Sequence, residues 1–137
     1  MTVRQAGAVL IDGRVLLIEG PAGSGKSTLA LQLLDRGATL VGDDGITLSD
    51  LGETLWAAPP PNTAGLIELR NVGLARKPVG EGPVALVLTL TAEAPRFVDT
   101  AGGIDLLGRC IPHLLFDPAI PAAAIRAEHA LARYGLA

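Results

Sequence analysis

The sequence reads Gly20-Pro21-Ala22-Gly23-Ser24-Gly25-Lys26-Ser27 at the point that decides its fold. This stretch matches G-x-x-x-x-G-K-[ST], the pattern of the phosphate-binding P-loop. The apolar residues 15–18 precede it as a buried strand would, and residues 28–34 follow it with the composition of a helix. A glycine-rich turn can match the pattern by chance, but a strand before it and a helix after it favour the P-loop.

The residue types of this stretch suit a triphosphate with Mg²⁺. Glycines allow a tight backbone turn whose amides point at phosphate, and the helix that starts near Lys26 adds its positive end. Lys26 would neutralise the β- and γ-phosphates, and the Ser27 hydroxyl is a suitable Mg²⁺ ligand. The residues predicted to contact a nucleoside triphosphate are Gly20, Pro21, Ala22, Gly23, Ser24, Gly25, Lys26, Ser27 and Thr28.

The composition predicts one globular domain over residues 1–137. Apolar residues make up 49% of the chain and charged residues 18%, which excludes a disordered segment. One Trp, one Tyr and two Phe leave the core to aliphatic side chains, as is typical of a parallel sheet covered by helices. A net charge of −3 gives no reason to expect nucleic acid as a partner.

The chain shows no sign of export or membrane insertion. Its single cysteine, Cys110, excludes an intramolecular disulfide. Residues 1–5 lack the apolar core of a signal peptide, and no apolar run approaches the roughly 20 residues that span a bilayer. We therefore expect a cytoplasmic protein without a membrane partner.

Turn residues divide the rest of the chain into elements. Asp12-Gly13 between two apolar runs predicts an antiparallel hairpin, and Gly37 is well placed to end the first helix. Further predictions are a strand at residues 38–41, a hairpin at 46–57, a central buried strand at 84–90, an edge strand at 111–116 and a helix at 121–134.

Asp43 and Asp44 follow the predicted strand at residues 38–41. In a doubly wound sheet, acidic residues at this end of a strand beside a P-loop contribute to the chemistry. One carboxylate could support Mg²⁺, and the other could take a proton from an attacking hydroxyl. A solvated turn in which one of the two caps the following residues accounts for the same pattern.

Residues 66–74 alternate as one strand would, with Glu68 and Arg70 on the same face. This arrangement suits a metal-directed carboxylate beside a phosphate-directed guanidinium, although a surface ion pair on an edge strand explains it equally well. The following residues 76–83 predict a mobile polar loop whose cations, Arg76 and Lys77, could meet phosphate or an acidic partner.

Three blocks in series resemble the catalytic domain of bacterial HPr kinase/phosphorylase. Residues 20–27 are similar to the family's G-x-S-G-x-G-K-S loop, and residues 36–44 to its R-G-H-x-L-V-A-D-D. Residues 57–60, followed by residues 66–74, resemble its A-x-P followed by L-E-I-R-G-x-G-I. The first block is general to P-loop proteins, whereas the three together are much more specific.

The resemblance implies an α/β P-loop fold with a mixed central sheet and flanking helices, in the short proteobacterial form without the N-terminal domain. It implies ATP and Mg²⁺ as cofactors, and the phosphocarrier protein HPr as the seryl substrate. Asp43 would be the catalytic aspartate with Asp44 beside it, Glu68 a metal ligand, and Lys26 and Arg70 phosphate-side catalytic residues. The family can also run the reverse phosphorylase reaction, in which inorganic phosphate releases pyrophosphate.

The sequence departs from the family pattern at residues 6 and 71. It also leaves other functions open. Ala6-Gly7 stands where the family has His-Gly, and Asn71 stands where it has glycine. The alternatives are a small-molecule kinase or ATPase, with a lid from Arg76-Lys77 or Arg96, and a non-catalytic nucleotide sensor. A homo-oligomer is compatible with each of these functions.

Overall fold

The computed structural model describes residues 1–137 as eleven strands and two helices. The strands are β1 Thr2–Arg4, β2 Gly7–Ile11, β3 Arg14–Glu19, β4 Thr39–Gly42, β5 Ile46–Asp50, β6 Leu55–Ala58, β7 Leu66–Leu69, β8 Gly73–Arg76, β9 Gly82–Leu90, β10 Gly102–Leu106 and β11 Arg109–Phe116. The helices are α1 Lys26–Asp35 and α2 Ala123–Tyr134. Neither helix is long and apolar enough to cross a membrane.

The central sheet has nine strands and is mixed. The main path runs β1-β5-β6-β9-β3-β2-β4, while β11 pairs with β9 and β10 pairs with β11. Strands β3, β9 and β11 are parallel, and β2 is antiparallel to both β3 and β4. Strands β3, β4, β9 and β11 therefore run in one direction, and their carboxyl ends lie at the same edge of the sheet.

Alternation along the central strands builds two hydrophobic layers. Leu16 and Ile18 of β3 pack with both helices on one face, together with Leu86 and Leu88 of β9. Val15 and Leu17 point to the opposite face and pack against residues of β5 and β6. The predicted mixed sheet with flanking helices is confirmed, but both helices cover the same face. The sheet is therefore not doubly wound. Strands β5 and β6 belong to the same sheet, and their residues pack over its second face in place of helices.

The elements that local signals specify are present. Asp12 and Gly13 have φ of 50° and 80°, as a hairpin turn between β2 and β3 requires. Gly37 has φ of 106° after α1, and the amides of Gly37 and Ala38 donate to Leu34 O and Leu33 O. This pattern is a Schellman motif, which satisfies the last carbonyls of the helix.

Residues 66–74 form a hairpin, so the prediction of a single strand is wrong. Strand β7 ends at Leu69, Arg70 lies in the turn, and β8 returns antiparallel to β7. Glu68 and Arg70 therefore do not share one strand face. Asn71 has φ of 67° in the turn, a conformation that Asn adopts more readily than most residues other than glycine.

Two further predictions need correction. Strand β11 is internal because β10, which was missed, pairs with its free side and forms the edge. It accommodates Pro112 because its pairing with β9 begins only at His113. The predicted loop at residues 76–83 is shorter, because Arg76 ends β8 and Gly82 begins β9. Backbone hydrogen bonds hold the residues between them, from Lys77 N to Gly65 O (2.7 Å) and from Gly80 N to Leu40 O (2.9 Å).

Leu33 tests how strongly α1 depends on the sheet. It is fully buried in the helix-side layer, so Leu33→Ala is expected to lower the free energy of unfolding by about 2–5 kcal/mol. Leu51→Ala is the control because Leu51 is 58% exposed, and it should change stability little. Urea denaturation measures both, and equal losses would contradict this packing.

Candidate nucleotide-binding site

The P-loop follows β3 directly and requires glycine for two different reasons. Gly25 has φ of 103°, which L side chains rarely adopt. A Cβ on Gly20 would lie 2.6 Å from Ser24 Oγ and 3.3 Å from Leu90 Cβ. Gly25 is therefore required for its backbone conformation. Gly20 is required because the loop folds back onto itself at this residue.

Helix α1 begins at Lys26, immediately after Gly25. No side chain caps its N-terminus, and its first turn contains no acidic residue. The first backbone amides of a helix have no partner within the helix, and the helix dipole places partial positive charge there. The start of α1 is therefore suited to an anion.

Two side chains of the loop fit a phosphate ligand. Lys26 Nζ donates to Gly20 O at 2.7 Å and to Pro21 O at 3.1 Å, which folds the lysine back over the loop. Ser24 Oγ is buried and has no hydrogen-bond partner. A buried hydroxyl of this kind costs free energy unless a partner satisfies it, and phosphate offers acceptor oxygens close to the loop.

Asp43 joins three elements at the edge of the sheet. Ser27 Oγ donates to Asp43 Oδ1 at 2.6 Å, and the Glu68 amide donates to Asp43 Oδ2 at 3.2 Å. The half-buried Asp43 thus links the end of β4 to the start of α1 and to β7. Asp44 is exposed on the same side.

A cavity of about 780 Å³ lies between the P-loop, the end of β4 and the β7–β8 hairpin. This volume is within the range of small-molecule sites. The predicted residues that line it are Ala22, Gly23, Gly25, Lys26, Ser27, Thr28, Asp43, Asp44, Glu68 and Arg70. Gly20, Pro21 and Ser24 lie outside this lining, although the first two accept the Lys26 hydrogen bonds.

The cavity also has an apolar wall that the sequence analysis missed. Leu31, Leu69 and Val72 line it beside the charged residues. Leu69 and Val72 come from the hairpin, which also brings Arg70 to the cavity from its turn. No local signal could have placed Leu69 and Val72 here, because their position depends on the hairpin that turns at Asn71.

An ion pair supports the strand that leads into the loop, and it was also missed. Glu19, the last residue of β3, pairs with Arg4 of β1. The hydrogen bond to Glu19 raises the pKa of Arg4 above its ordinary value, against the opposing effect of burial. This pair ties β1 to the residue that precedes Gly20.

The oxygen donors in the cavity fit a magnesium ion that arrives with a nucleotide. No group of three or more His, Cys, Asp or Glu side chains is arranged as a self-sufficient metal site. Mg²⁺ in nucleotide sites takes only one or two protein oxygens together with phosphates and water. Ser27 and Glu68 line the cavity and carry such oxygens, and Asp43 lies beside Ser27 through the 2.6 Å hydrogen bond.

More than half of the chain is similar in sequence to one known protein family. The profile of the HPr serine kinase C-terminal domain matches residues 2–77. The HPr kinase/phosphorylase of Clostridium acetobutylicum is 39% identical over 72 residues, 51% of this chain and 24% of that protein. The one from Clostridium beijerinckii is 41% identical over 68 residues, 48% and 22% respectively. The chain spans about a quarter of the length of these curated relatives.

A solved structure extends the likeness along the chain. The Hpr(Ser) kinase/phosphatase from Coxiella burnetii superposes with a TM-score of 0.81 at 27% sequence identity. The match covers 96% of this chain and 92% of that one. It therefore includes β9, β10, β11 and α2, which lie beyond the residues that the sequence profile matches.

Gly25 offers a test of the phosphate cradle. In Gly25→Ala we expect at least a roughly tenfold loss of affinity for magnesium tripolyphosphate, because the new Cβ disfavours the left-handed backbone that orients the amides. Gly13→Ala is the matched control, since Gly13 also has positive φ but lies in the β2–β3 turn. Calorimetric titration measures both, and an unchanged affinity in Gly25→Ala would contradict the cradle.

Proposed function

The chain belongs to the HPr serine kinase C-terminal domain family, and on this basis we propose that it is an ATP-dependent protein-serine kinase. Its substrate would be HPr or a similar small phosphocarrier protein. The observation that carries the proposal is the 2.6 Å hydrogen bond between Ser27 and Asp43. It places a carboxylate beside the P-loop hydroxyl, where a kinase needs its acidic group.

The triphosphate of ATP would bind along the P-loop. Lys26 would exchange its two carbonyl acceptors, Gly20 O and Pro21 O, for the more strongly bound phosphate oxygens. The first amides of α1 would add donors at the same point. Arg70, in the turn of the hairpin, would contact phosphate from the opposite wall of the cavity.

Asp43 would act as the general base toward the seryl hydroxyl. Ser27 Oγ and the Glu68 amide hold its two oxygens, so its orientation is set before the substrate arrives. The seryl oxygen forms a bond to the γ-phosphorus, the bond from that phosphorus to the bridging oxygen breaks, and ADP leaves. The seryl proton passes to Asp43, which returns it to the seryl oxygen in the reverse direction.

Magnesium, when bound, would neutralise charge on the phosphates, and Ser27 and Glu68 are the residues that would hold it. Asp44 would support the site as a second carboxylate close to Asp43.

The exposed Arg76 and Lys77 would meet the protein substrate. Because ATP is the proposed phosphate donor and Cys110 is unpaired, we assign the reaction to the cytoplasm.

One observation favours a non-catalytic nucleotide sensor as a second candidate. The family's histidine is replaced by Ala6, which is fully buried just before β2. The neighbouring Gly7 lies against the backbone of Asp43, since a Cβ there would be 3.3 Å from the Asp43 carbonyl oxygen. The site therefore has no imidazole at this position to assist proton transfer.

Asp43→Asn distinguishes the two functions. We expect phosphate transfer from labelled ATP to HPr of the same source to fall by about a hundredfold or more, because the amide cannot accept the seryl proton. ATP affinity should change much less. Asp35→Asn is the control, since Asp35 is exposed at the end of α1 and should not affect transfer.

Binding of ATP by the wild type without any transfer to HPr would reject the kinase and support the sensor. Asp44→Asn serves as a second comparison. Because Asp44 has a supporting role, Asp44→Asn should reduce transfer less than Asp43→Asn does. A larger loss in Asp44→Asn would reassign the general base to Asp44.

Glu68→Gln tests the metal assignment. We expect a several-fold higher Mg²⁺ concentration for half-maximal ATP binding, because a charged oxygen ligand is replaced by a neutral one. Glu53→Gln, at an exposed position of the β5–β6 turn, should leave the Mg²⁺ requirement unchanged. Magnesium titrations at fixed ATP concentration measure this, and identical curves for both variants would remove Glu68 from the metal site.

A further inference from the structure

We propose that a second recess, on the far side of the P-loop, binds the adenine base of the nucleotide. The recess lies between α1, the segment that follows β11 and the start of α2, and has a volume of about 230 Å³. This inference rests on the proposed ATP-dependent function and assigns residues outside the P-loop pattern to substrate recognition.

The two cavities meet on the P-loop. Gly23, Gly25 and Thr28 line both the recess and the larger cavity that contains Asp43. A ligand whose phosphates lie against the loop can therefore extend from one cavity into the other. A nucleoside triphosphate has this form, with a charged chain at one end and a neutral base at the other.

Charge distinguishes the two cavities. None of the nine residues that line the recess is charged, whereas Lys26, Asp43, Asp44, Glu68 and Arg70 line the larger cavity. Because uncharged walls do not compensate phosphate, the recess is suited to the neutral part of a ligand. The larger cavity is correspondingly suited to phosphates and metal.

The walls of the recess provide the contacts that a flat heteroaromatic ring requires. Pro118 and Ala119 offer apolar surface for stacking. The Gln32 side chain is exposed on α1 and carries a donor and an acceptor, which matches the amino group and ring nitrogen of adenine. Thr28 adds a hydroxyl on the side of the P-loop, and residue Ser24 also lines the recess.

The topology brings residues 117–120 to the P-loop. Strand β11 is parallel to β9, and β9 is parallel to β3, so the segment after β11 emerges at the same edge as the loop after β3. Pro118 closes against the loop, since a Cβ on Gly25 would lie 3.5 Å from Pro118 Cγ.

Arg126 of α2 holds this segment in place. Its guanidinium donates to Asp117 O and Ile120 O, both at 2.8 Å, and to Pro121 O at 3.1 Å. The same group lies 4.5 Å from the centre of the Phe116 ring. The Ala119 amide donates to Asp117 Oδ1 at 2.9 Å. The wall of the recess is therefore formed before a ligand binds, which lowers the entropy cost of binding.

Ala119→Trp fills the recess and tests the inference. The variant is titrated with magnesium ATP and with magnesium tripolyphosphate, which has the phosphates without the nucleoside. We expect ATP affinity to fall by about tenfold or more and tripolyphosphate affinity to stay within about twofold of the wild type. Ala132→Trp, at an exposed position of α2 that lines neither cavity, should change neither affinity.

Gln32→Ala is a second test of the base site and does not depend on a bulky side chain. It should weaken ATP several-fold and leave tripolyphosphate unchanged. Wild-type protein that binds ATP no more tightly than tripolyphosphate, or an Ala119→Trp variant that keeps full ATP affinity, would overturn the base site alone. Wild-type protein that binds neither ligand would overturn the proposed function as well.

Discussion

The direction of strand β2 is the constraint on which the site depends. Because β2 is antiparallel to both of its neighbours, β3 and β4 run the same way and end at one edge of the sheet. The P-loop follows one of these ends and Asp43 follows the other. Their hydrogen bond through Ser27, at 2.6 Å, is a consequence of this arrangement, since the residues are 16 positions apart in sequence. If β2 were antiparallel to only one of these two strands, β3 and β4 would run in opposite directions and Asp43 would lie at the opposite edge.

The sequence alone predicted the parts of the fold that short-range chemistry determines. The P-loop, the turn at Asp12-Gly13, the Schellman cap at Gly37 and the long buried strand β9 each have a local signal, and the structure contains all of them. The position of both helices on one face had no such signal. It depends on strands β5 and β6 folding over the other face, which is a tertiary arrangement.

The errors at residues 66–74 and 111–116 have the same physical origin. Apolar and polar residues alternate from Ile67 to Arg70 as they would in a strand, but the chain reverses at residues 70–72, where Asn71 has φ of 67°. Whether β11 is an edge depends on a partner, β10, that contains two glycines and few β-formers. For the site, the sequence identified the charged residues, but the apolar wall and the recess at Pro118 require elements that are distant in sequence.

The two departures from the family affect the site in different ways. Asn71 preserves the turn that glycine would make, because it adopts the left-handed conformation, so the hairpin still carries Glu68 and Arg70 to the cavity. Ala6 is buried in the packing before β2 and provides no imidazole where the family has one. In the proposed reaction, a carboxylate would then accept the seryl proton without help from a histidine. Asp43 is the carboxylate whose two oxygens are already oriented, by Ser27 Oγ and the Glu68 amide. In the proposed kinase, proton transfer would therefore depend on how firmly Ser27 and the Glu68 amide hold the Asp43 carboxylate.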